Sequence, residues 1–263
     1  MADSVNHLSV AEIRTLLAGA EGRSLRALLS CHGSDARAGV VDACERARAR
    51  ERSRRAEHDR TDRMYELERT LYATGFVAVA GIDEVGRGAL AGPVSAGAII
   101  LSADSPILGL NDSKKLSPAR REELALIIHE RALAVGVGHA SAADIDSGGL
   151  AAALRSAMHS ALDQLILVPD HVIIDGMPLG LHESETAVVK GDAKVAAVAA
   201  ASIVAKVARD ALMREAALLF PEYGFDINKG YGTAEHIAAV ARLGPCILHR
   251  QTFCGGGGNP TLF

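Results

Sequence analysis

The strongest constraint on this chain is a pair of carboxylates at the end of an apolar run. Residues Phe76 to Ile82 are apolar enough for a buried strand, and they deliver Asp83 and Glu84 straight into a glycine-rich turn, Gly86-Arg87-Gly88 followed by Gly92-Pro93. Adjacent acids repel each other. A core strand ends on such a pair when a cation sits between them or when one acid holds a proton, whereas an isolated Asp-Glu pair also reads as a polar strand end in water. The glycines let a backbone approach a ligand with its N–H groups exposed, and Arg87 offers a forked donor suited to phosphate. Their spacing misses the dinucleotide-binding fingerprint, and the acids precede the loop.

The remaining pattern alternates strand and helix. Strands are predicted at 76–83, 94–101, 133–140, 171–176 and about 185–190. Helices are predicted at 117–131, opened by Ser117-Pro118, at 150–167, from Ala193 to about Leu219, and near 233–243. Sequential strands followed by alternating units predict an α/β fold with a mixed sheet flanked by helices. Residues 1–75 read as a separate helical extension: a helix behind Ser9, a second at 24–29, and a charged stretch from Ala36 to Tyr72. The main domain is then 76–253, with a glycine-rich tail at 254–263. The Arg-rich helix of the extension reads either as cover for one side of the main domain or as an auxiliary nucleic-acid contact.

Net charge is −4, which taken alone argues against a nucleic-acid partner. Split at residue 75, the first part carries 13 Arg against 12 acids and the rest 15 Lys and Arg against 20 acids. A metal-dependent nuclease tolerates such a balance, because its centre needs acids and only its docking groove must be basic. No apolar stretch of about 18 residues escapes charge, and no basic-then-apolar leader opens the chain, so a soluble cytoplasmic protein without membrane contact is expected. Cys31, Cys44, Cys246 and Cys254 have no paired short spacing, and reduced thiols are expected. Cys246, His249 and Cys254 offer three zinc-type ligands without a fourth nearby.

Two further acids sit like the first pair. Asp175 follows Val172-Ile-Ile174 and precedes Gly176, and Asp192 stands where the alanine-rich helix is predicted to begin. An Asp there also reads simply as an N-cap. Four carboxylates from separate elements are what two divalent ions about 4 Å apart require, since carboxylates bridge and terminate the ions and leave room for phosphate and water. Lys114 and Lys115 lie in the polar loop Asn111-Asp-Ser-Lys-Lys-Leu-Ser117, Lys206 and Arg209 lie one turn apart on the long helix, and Lys229 precedes Gly230-Tyr231-Gly232. These are candidates for a basic groove, and a Tyr between glycines suits a stacking plate better than a core.

Gly81-Ile-Asp-Glu-Val-Gly-Arg-Gly88 resembles the signature of the type 2 ribonucleases H, specifically bacterial ribonuclease HII, and the likeness extends over roughly 76–253. It is carried further by Ile174-Asp-Gly176, Ala201-Ser-Ile-Val-Ala-Lys206 and Lys229-Gly-Tyr-Gly-Thr233; Ala89 departs from it, standing where many members have Pro. The resemblance implies a ribonuclease H-like mixed five-stranded sheet, with Asp83, Glu84, Asp175 and Asp192 as catalytic ligands of two Mg2+ or Mn2+ ions. It implies that Gly86, Arg87 and Gly88 read the ribose 2′-hydroxyl, that Tyr231 stacks on the following deoxyribose, and that Lys114 or Lys115 contacts phosphate. The implied reaction is hydrolysis of the RNA strand of RNA–DNA hybrids and cutting 5′ of ribonucleotides embedded in duplex DNA. It leaves a 3′-hydroxyl and a 5′-phosphate, and serves removal of misincorporated ribonucleotides and RNA primers. A monomer is expected, and the terminal Leu262-Phe263 resembles the end of a sliding-clamp-binding motif without its leading Gln. A carboxylate–metal nuclease that cuts all-DNA substrates, and a non-catalytic nucleic-acid-binding module, remain as rival readings.

Overall fold

The computed structural model of the protein describes residues 8–254. Leu262 and Phe263, and with them the expected clamp motif, lie outside the described residues. The backbone divides into two compact units, one ending at Arg60 and the other beginning at Thr61.

In the first unit, helices α1 (Val10–Gly19) and α2 (Gly22–His32) and most of α3 (Ala38–Met64) enclose a small core of Ile13, Leu17, Leu25, Val40 and Cys44. Ser9 closes a capping box with Glu12 at the start of α1. Part of the Arg run of α3 is engaged by its own helix: Arg46 pairs with Asp42, Arg54 and Arg55 with Glu51, and Arg60 with Glu57, while Arg50 donates to the carbonyls of Leu17 and Ala20. Such spacings of three and four place opposite charges side by side on a helix.

The second unit opens with α4 (Glu66–Ala73) and is built on strands β1 (Val79–Val85), β2 (Val94–Ile100), β3 (Ala134–Ala140), β4 (His171–Asp175) and β5 (Glu185–Val188). They form one mixed sheet in the order β3-β2-β1-β4-β5, antiparallel from β1 to β3 and parallel across β1, β4 and β5. This is the five-stranded sheet expected. The strand alternation sorts side chains by face. Ala80, Ile82, Val172 and Ile174 pack with Ala157, Met158 and Ala161 of α7 (Leu150–Asp163), while Val79 and Ile173 face the opposite layer with Val198 of α8 (Ala196–Leu219). Helix α5 (Pro118–Arg131) adds Leu124 and Ile128 to that second layer.

Alanines dominate the first half of α8 because the helix lies almost on the sheet. A Cβ added at Gly81 would stand 2.3 Å from the Ala197 carbonyl carbon, and one at Gly97 would stand 2.5 Å from the Ala201 oxygen. Small residues on both sides are therefore obligatory there.

Strand β1 starts three residues later than predicted, at 79 rather than 76. The N–H groups of Val77 and Ala78 donate to the Asp170 carboxylate at 2.7 and 3.0 Å instead of entering a ladder. A short helix α6 (Ala142–Gly148) was not foreseen, although Ser141 and Asp144 form its capping box. Helices α9 (Phe225–Asn228), α10 (Ala234–Leu243) and α11 (Gln251–Cys254) complete the unit. Among the described residues no helix is long and apolar enough to cross a membrane.

Candidate active site

Register brings the first acids together. Ile82 of β1 is paired with Ile174 of the parallel strand β4, and Asp83 and Asp175 are the next residue on each strand. They therefore stand side by side at the carboxyl ends of neighbouring parallel strands, on the α8 face by the alternation. Asp192 arrives from the other side. It lies in a single 3-10 turn, Gly191–Ala193, entered through Lys190 in the left-handed conformation (φ 59°). The N-cap reading of Asp192 is thereby overturned, because α8 begins at Ala196 behind an extended Val195 that supplies no side-chain cap. That cap comes from α4, where Glu68 Oε1 accepts the Ala197 N–H at 2.9 Å.

Asp83, Glu84, Asp175 and Asp192 all line one cleft of about 470 Å3. Asp83 is 5% exposed. Burial, then the charges of Glu84 and Asp175, hold its carboxyl well above the usual range, against a hydrogen bond from Ser202. Asp192 is raised as well, by burial first and then by Asp112 and Asp175. The acids thus feel one another across the cleft, and Asp112 of the lysine loop joins them.

Of the substrate residues proposed from sequence, Gly86, Arg87, Gly88, Lys114, Lys206 and Tyr231 line the same cleft. Arg87 is well exposed and pairs with Glu84 at 3.0 Å. Lys115 does not line the cleft; its side chain is 63% exposed and lies 4.0 Å from Asp112. Lys229 lines a neighbouring pocket that shares Lys206 and Tyr231 with the cleft. Tyr231 is half-buried, with Lys206 Nζ and the Arg209 guanidinium 5.5 and 5.3 Å from its ring centre.

Among the described residues no three His, Cys, Asp or Glu side chains are gathered as the ligands of one ion. Three of the four acids are turned to donors of their own. Asp83 Oδ1 accepts from the Glu84 N–H at 2.7 Å, Glu84 Oε1 from Arg87 at 3.0 Å, and Asp175 Oδ1 from the Gly191 N–H at 2.6 Å. The donor set still fits hard divalent cations: it is all oxygen, and the upward push on Asp83 and Asp192 from neighbouring acids is charge that a cation relieves.

The ribonuclease HII family model matches residues 80–255, and the ribonuclease HII N-terminal domain model matches residues 9–72. The chain belongs to the ribonuclease HII family. The ribonuclease HII of Moorella thermoacetica is 52% identical over 203 residues, covering 77% of this chain and 98% of that protein. That of Bacillus subtilis is 41% identical over 249 residues, covering 95% and 97%. Among solved structures, the ribonuclease H2 of Pyrococcus horikoshii is similar at a TM-score of 0.57 and 25% identity, over 67% of this chain and 93% of that one. The ribonuclease HII of Archaeoglobus fulgidus, solved in complex with PCNA, has a TM-score of 0.57 at 26% identity, over 70% and 98%. As a member of the ribonuclease HII family the chain is a nuclease, an endonuclease of the ribonuclease H type acting on the RNA of RNA–DNA hybrids, and the family is dependent on divalent metal.

Sequence reasoning missed the frame that holds this ribonuclease HII cleft. Arg209, read above as a groove residue, is fully buried, and so is Arg250. Arg250 donates to the carbonyls of Gly86 (2.6 Å), Arg87 (2.8 Å) and Gly92 (3.0 Å), gripping the Gly-Arg-Gly loop from behind. Arg209 takes the carbonyls of Pro93 (2.8 Å), Ala91 (3.1 Å) and Lys229 (2.9 Å), so one guanidinium spans the loop of Arg87 and the loop of Tyr231. Gly86 is required beneath it: its φ is +92°, and a Cβ there would lie 2.3 Å from Arg209 Nε.

Cys246, His249 and Cys254, considered above as a partial zinc set, do other work. The Cys246 N–H donates to His249 Nδ1 at 2.9 Å, which leaves His249 Nε2 to donate to His236 Nε2 at 3.1 Å and His236 Nδ1 to donate to the Tyr231 carbonyl at 2.9 Å. Two neutral imidazoles thus brace the tyrosine. Ser202 is a further omission; besides its bond to Asp83, its hydroxyl lies 2.9 Å from that of Ser113. A lone serine in the apolar first half of α8 was the available signal.

Proposed function

We propose that the chain cuts on the 5′ side of ribonucleotides in duplex DNA, as well as within the RNA of hybrids, leaving a 3′-hydroxyl and a 5′-phosphate. The observation that carries this reading is the convergence of four carboxylates from three separate segments on one cleft, beside a glycine loop anchored through its carbonyls. Asp83, Glu84, Asp175 and Asp192 would hold two divalent ions, Mg2+ or Mn2+, once Asp83, Glu84 and Asp175 release the internal donors named above. When bound, such a pair activates water, orients the phosphate and stabilises charge on the leaving 3′ oxygen.

The chain's own groups do the rest. Ser202 and the Glu84 N–H orient Asp83. Lys114 and Lys206 offset phosphate charge at the cleft wall. The Gly86–Gly88 backbone meets the 2′-hydroxyl, with open space above Gly88 for close approach. Tyr231 gives its face to the deoxyribose that follows the ribonucleotide. Removal of misincorporated ribonucleotides and RNA primers follows from this specificity, and we propose that the enzyme does so as a cytoplasmic monomer.

The deciding assay is cleavage of a duplex carrying one embedded ribonucleotide, mapped to the nucleotide, with Mg2+, Mn2+ or chelator. Cutting of an all-DNA duplex at a comparable rate would favour a general carboxylate–metal nuclease instead. Asp83→Asn should nearly abolish cleavage while duplex binding persists, and an active Asp83→Asn enzyme sinks the ligand assignment. The PCNA complex of the Archaeoglobus relative supports a sliding-clamp contact here through Leu262-Phe263. Deleting 259–263 should then weaken clamp binding without changing cleavage of short duplexes, and unchanged clamp binding refutes it.

A further inference from the structure

Beyond the wall formed by Lys206 and Tyr231 lies a second pocket, of about 320 Å3, that no step above uses. Its charge is the reverse of the cleft's. Four cations, Arg121, Lys206, Arg214 and Lys229, line it against one acid, Asp210, whereas four acids line the cleft against Arg87, Lys114 and Lys206. Asp210 is taken by Lys206 at 2.8 Å. Arg121 gives Nη1 to the carbonyls of Ser113 and Leu116, which fixes its guanidinium at the pocket edge. Arg214 has a half-exposed side chain whose acidic partner, Glu122, is 3.2 Å away and equally exposed. The pocket therefore carries a surplus of positive charge that is only loosely countered from within.

A second observation points the same way. Lys229 is one of only two non-glycine residues with positive φ among the described residues, at 52°. That conformation costs a β-carbon-bearing residue on the order of 1 kcal/mol or more, and glycine or asparagine would adopt it more easily. The chain keeps a lysine there, held by Arg209 on its carbonyl (2.9 Å) and by its own N–H on Phe225 O (3.1 Å). Burial, Arg214 and Lys206 push its ammonium below the ordinary value, while Asp210 and Asp226 push the other way. The Lys229 ammonium donates to the Asp226 carbonyl, which helps hold the turn, yet Arg214 and Lys206 still crowd it with like charge that an entering anion would relieve.

We propose that this pocket seats one backbone phosphate of the bound duplex, the phosphate that follows the sugar lying on Tyr231, and that its distance from the acids sets where the strand is cut. This rests on the nuclease reading above. A phosphodiester is the anion whose repeat carries it from one pocket to the next, with the shared Tyr231 and Lys206 under the intervening sugar. Arg214 and Lys229 then act as specificity-determining residues rather than general surface charge.

The test uses the full chain and a duplex with one ribonucleotide, replacing a single phosphate at a time by an uncharged methylphosphonate, on both strands. Wild type should lose roughly tenfold in kcat/KM at the predicted linkage, the size expected for a charged hydrogen bond, and little at its neighbours. Arg214→Ala should show a similar loss on the unmodified duplex, and no further loss when the predicted linkage is already neutral. Binding measured in chelator should lose about one phosphate contact in its salt dependence for Arg214→Ala, and Glu122→Gln, which frees Arg214, should bind more tightly. Multiplying losses, sensitivity confined to the complementary strand, or an Arg214→Ala enzyme indistinguishable from wild type each overturn the subsite. Failure of wild type to cut the unmodified duplex at the ribonucleotide overturns the nuclease reading instead, so the two failures are separate.

Discussion

Glu68 offers the sharpest energetic test of how this unit is assembled. It is 1% exposed; Oε1 caps the start of α8 through Ala197, while Oε2 is buried without a hydrogen-bond partner among the described residues. Burial raises its carboxyl from 4.5 to about 7, against the pull of the Ala197 and Ala196 N–H groups and Arg69. The folded value lies above the unfolded one, so the fold favours the protonated form. Its contribution is fully present below pH 4.5 and is lost as pH rises through about 7. The amplitude between these limits is about 3 kcal/mol, at ~1.4 kcal/mol per pH unit. Glu68→Gln keeps a carbonyl for the Ala197 N–H and cannot ionise, and the protonated acid and the amide share the same lack of an acceptor. Urea unfolding at pH 5, 6, 7 and 8 should find the two proteins within about 1 kcal/mol at pH 5 and the variant ahead by about 2–3 kcal/mol at pH 8. Taking the difference cancels every other titrating group. A difference that stays flat across this range refutes the buried, singly capped carboxyl.

The histidine brace slopes in the opposite direction. Burial, then His236, lowers His249 from 6.5 to about 4, so its stabilisation is present above pH 6.5 and lost as pH falls towards 4. His249→Gln should flatten that acid limb in melting curves taken from pH 7 to 4, and an unchanged limb would assign it to other groups. Arg250 serves three carbonyls that one ammonium cannot span, so Arg250→Lys should lose at least tenfold in kcat/KM, with Arg250→Ala worse and about 2–4 kcal/mol less stable in urea. A fully active Arg250→Ala protein would mean the Gly-Arg-Gly loop holds its shape unaided.

What the sequence made legible is what depends on short range. Apolar runs ending in an acid marked β1 and β4, and the period of two explains why Asp83 and Asp175 share a face once their strands pair. Ser117-Pro118 marked the start of α5. What escaped depends on partners far along the chain. Arg209 read as a groove cation and Arg250 drew no reading, because nothing local says that an arginine will be buried on carbonyls; the Gly86 oxygen lies 164 residues from Arg250. Glu68 looked like one more acid on a solvated helix, although it crosses 129 residues to cap α8. Asp192 was assigned to the helix start because Asp is a good N-cap, and the intervening 3-10 turn became visible only with the left-handed Lys190. Lys115 was indistinguishable from Lys114 in sequence and parts from it only through the short 3-10 turn Ser113–Lys115.

The two buried arginines also explain how an acid-rich cleft keeps its ligands available. Four carboxylates around one cleft need compensating charge, and the direct solution, a salt bridge to each, would consume the oxygen lone pairs a cation requires. Among the described residues neither Arg209 nor Arg250 forms an ion pair with a carboxylate; both give their donors to backbone carbonyls, and burial lowers the guanidinium of Arg250 to about 10, still charged at neutral pH. Their charge stays beneath the loops that border the cleft, held on carbonyls and not on Asp83 or Asp175. The arrangement costs desolvation, and it makes loop geometry depend on two side chains far from the reacting atoms. It follows that variants of Arg209 and Arg250 should perturb substrate placement before they perturb the acids, whereas Asp83→Asn should spare placement and remove the chemistry.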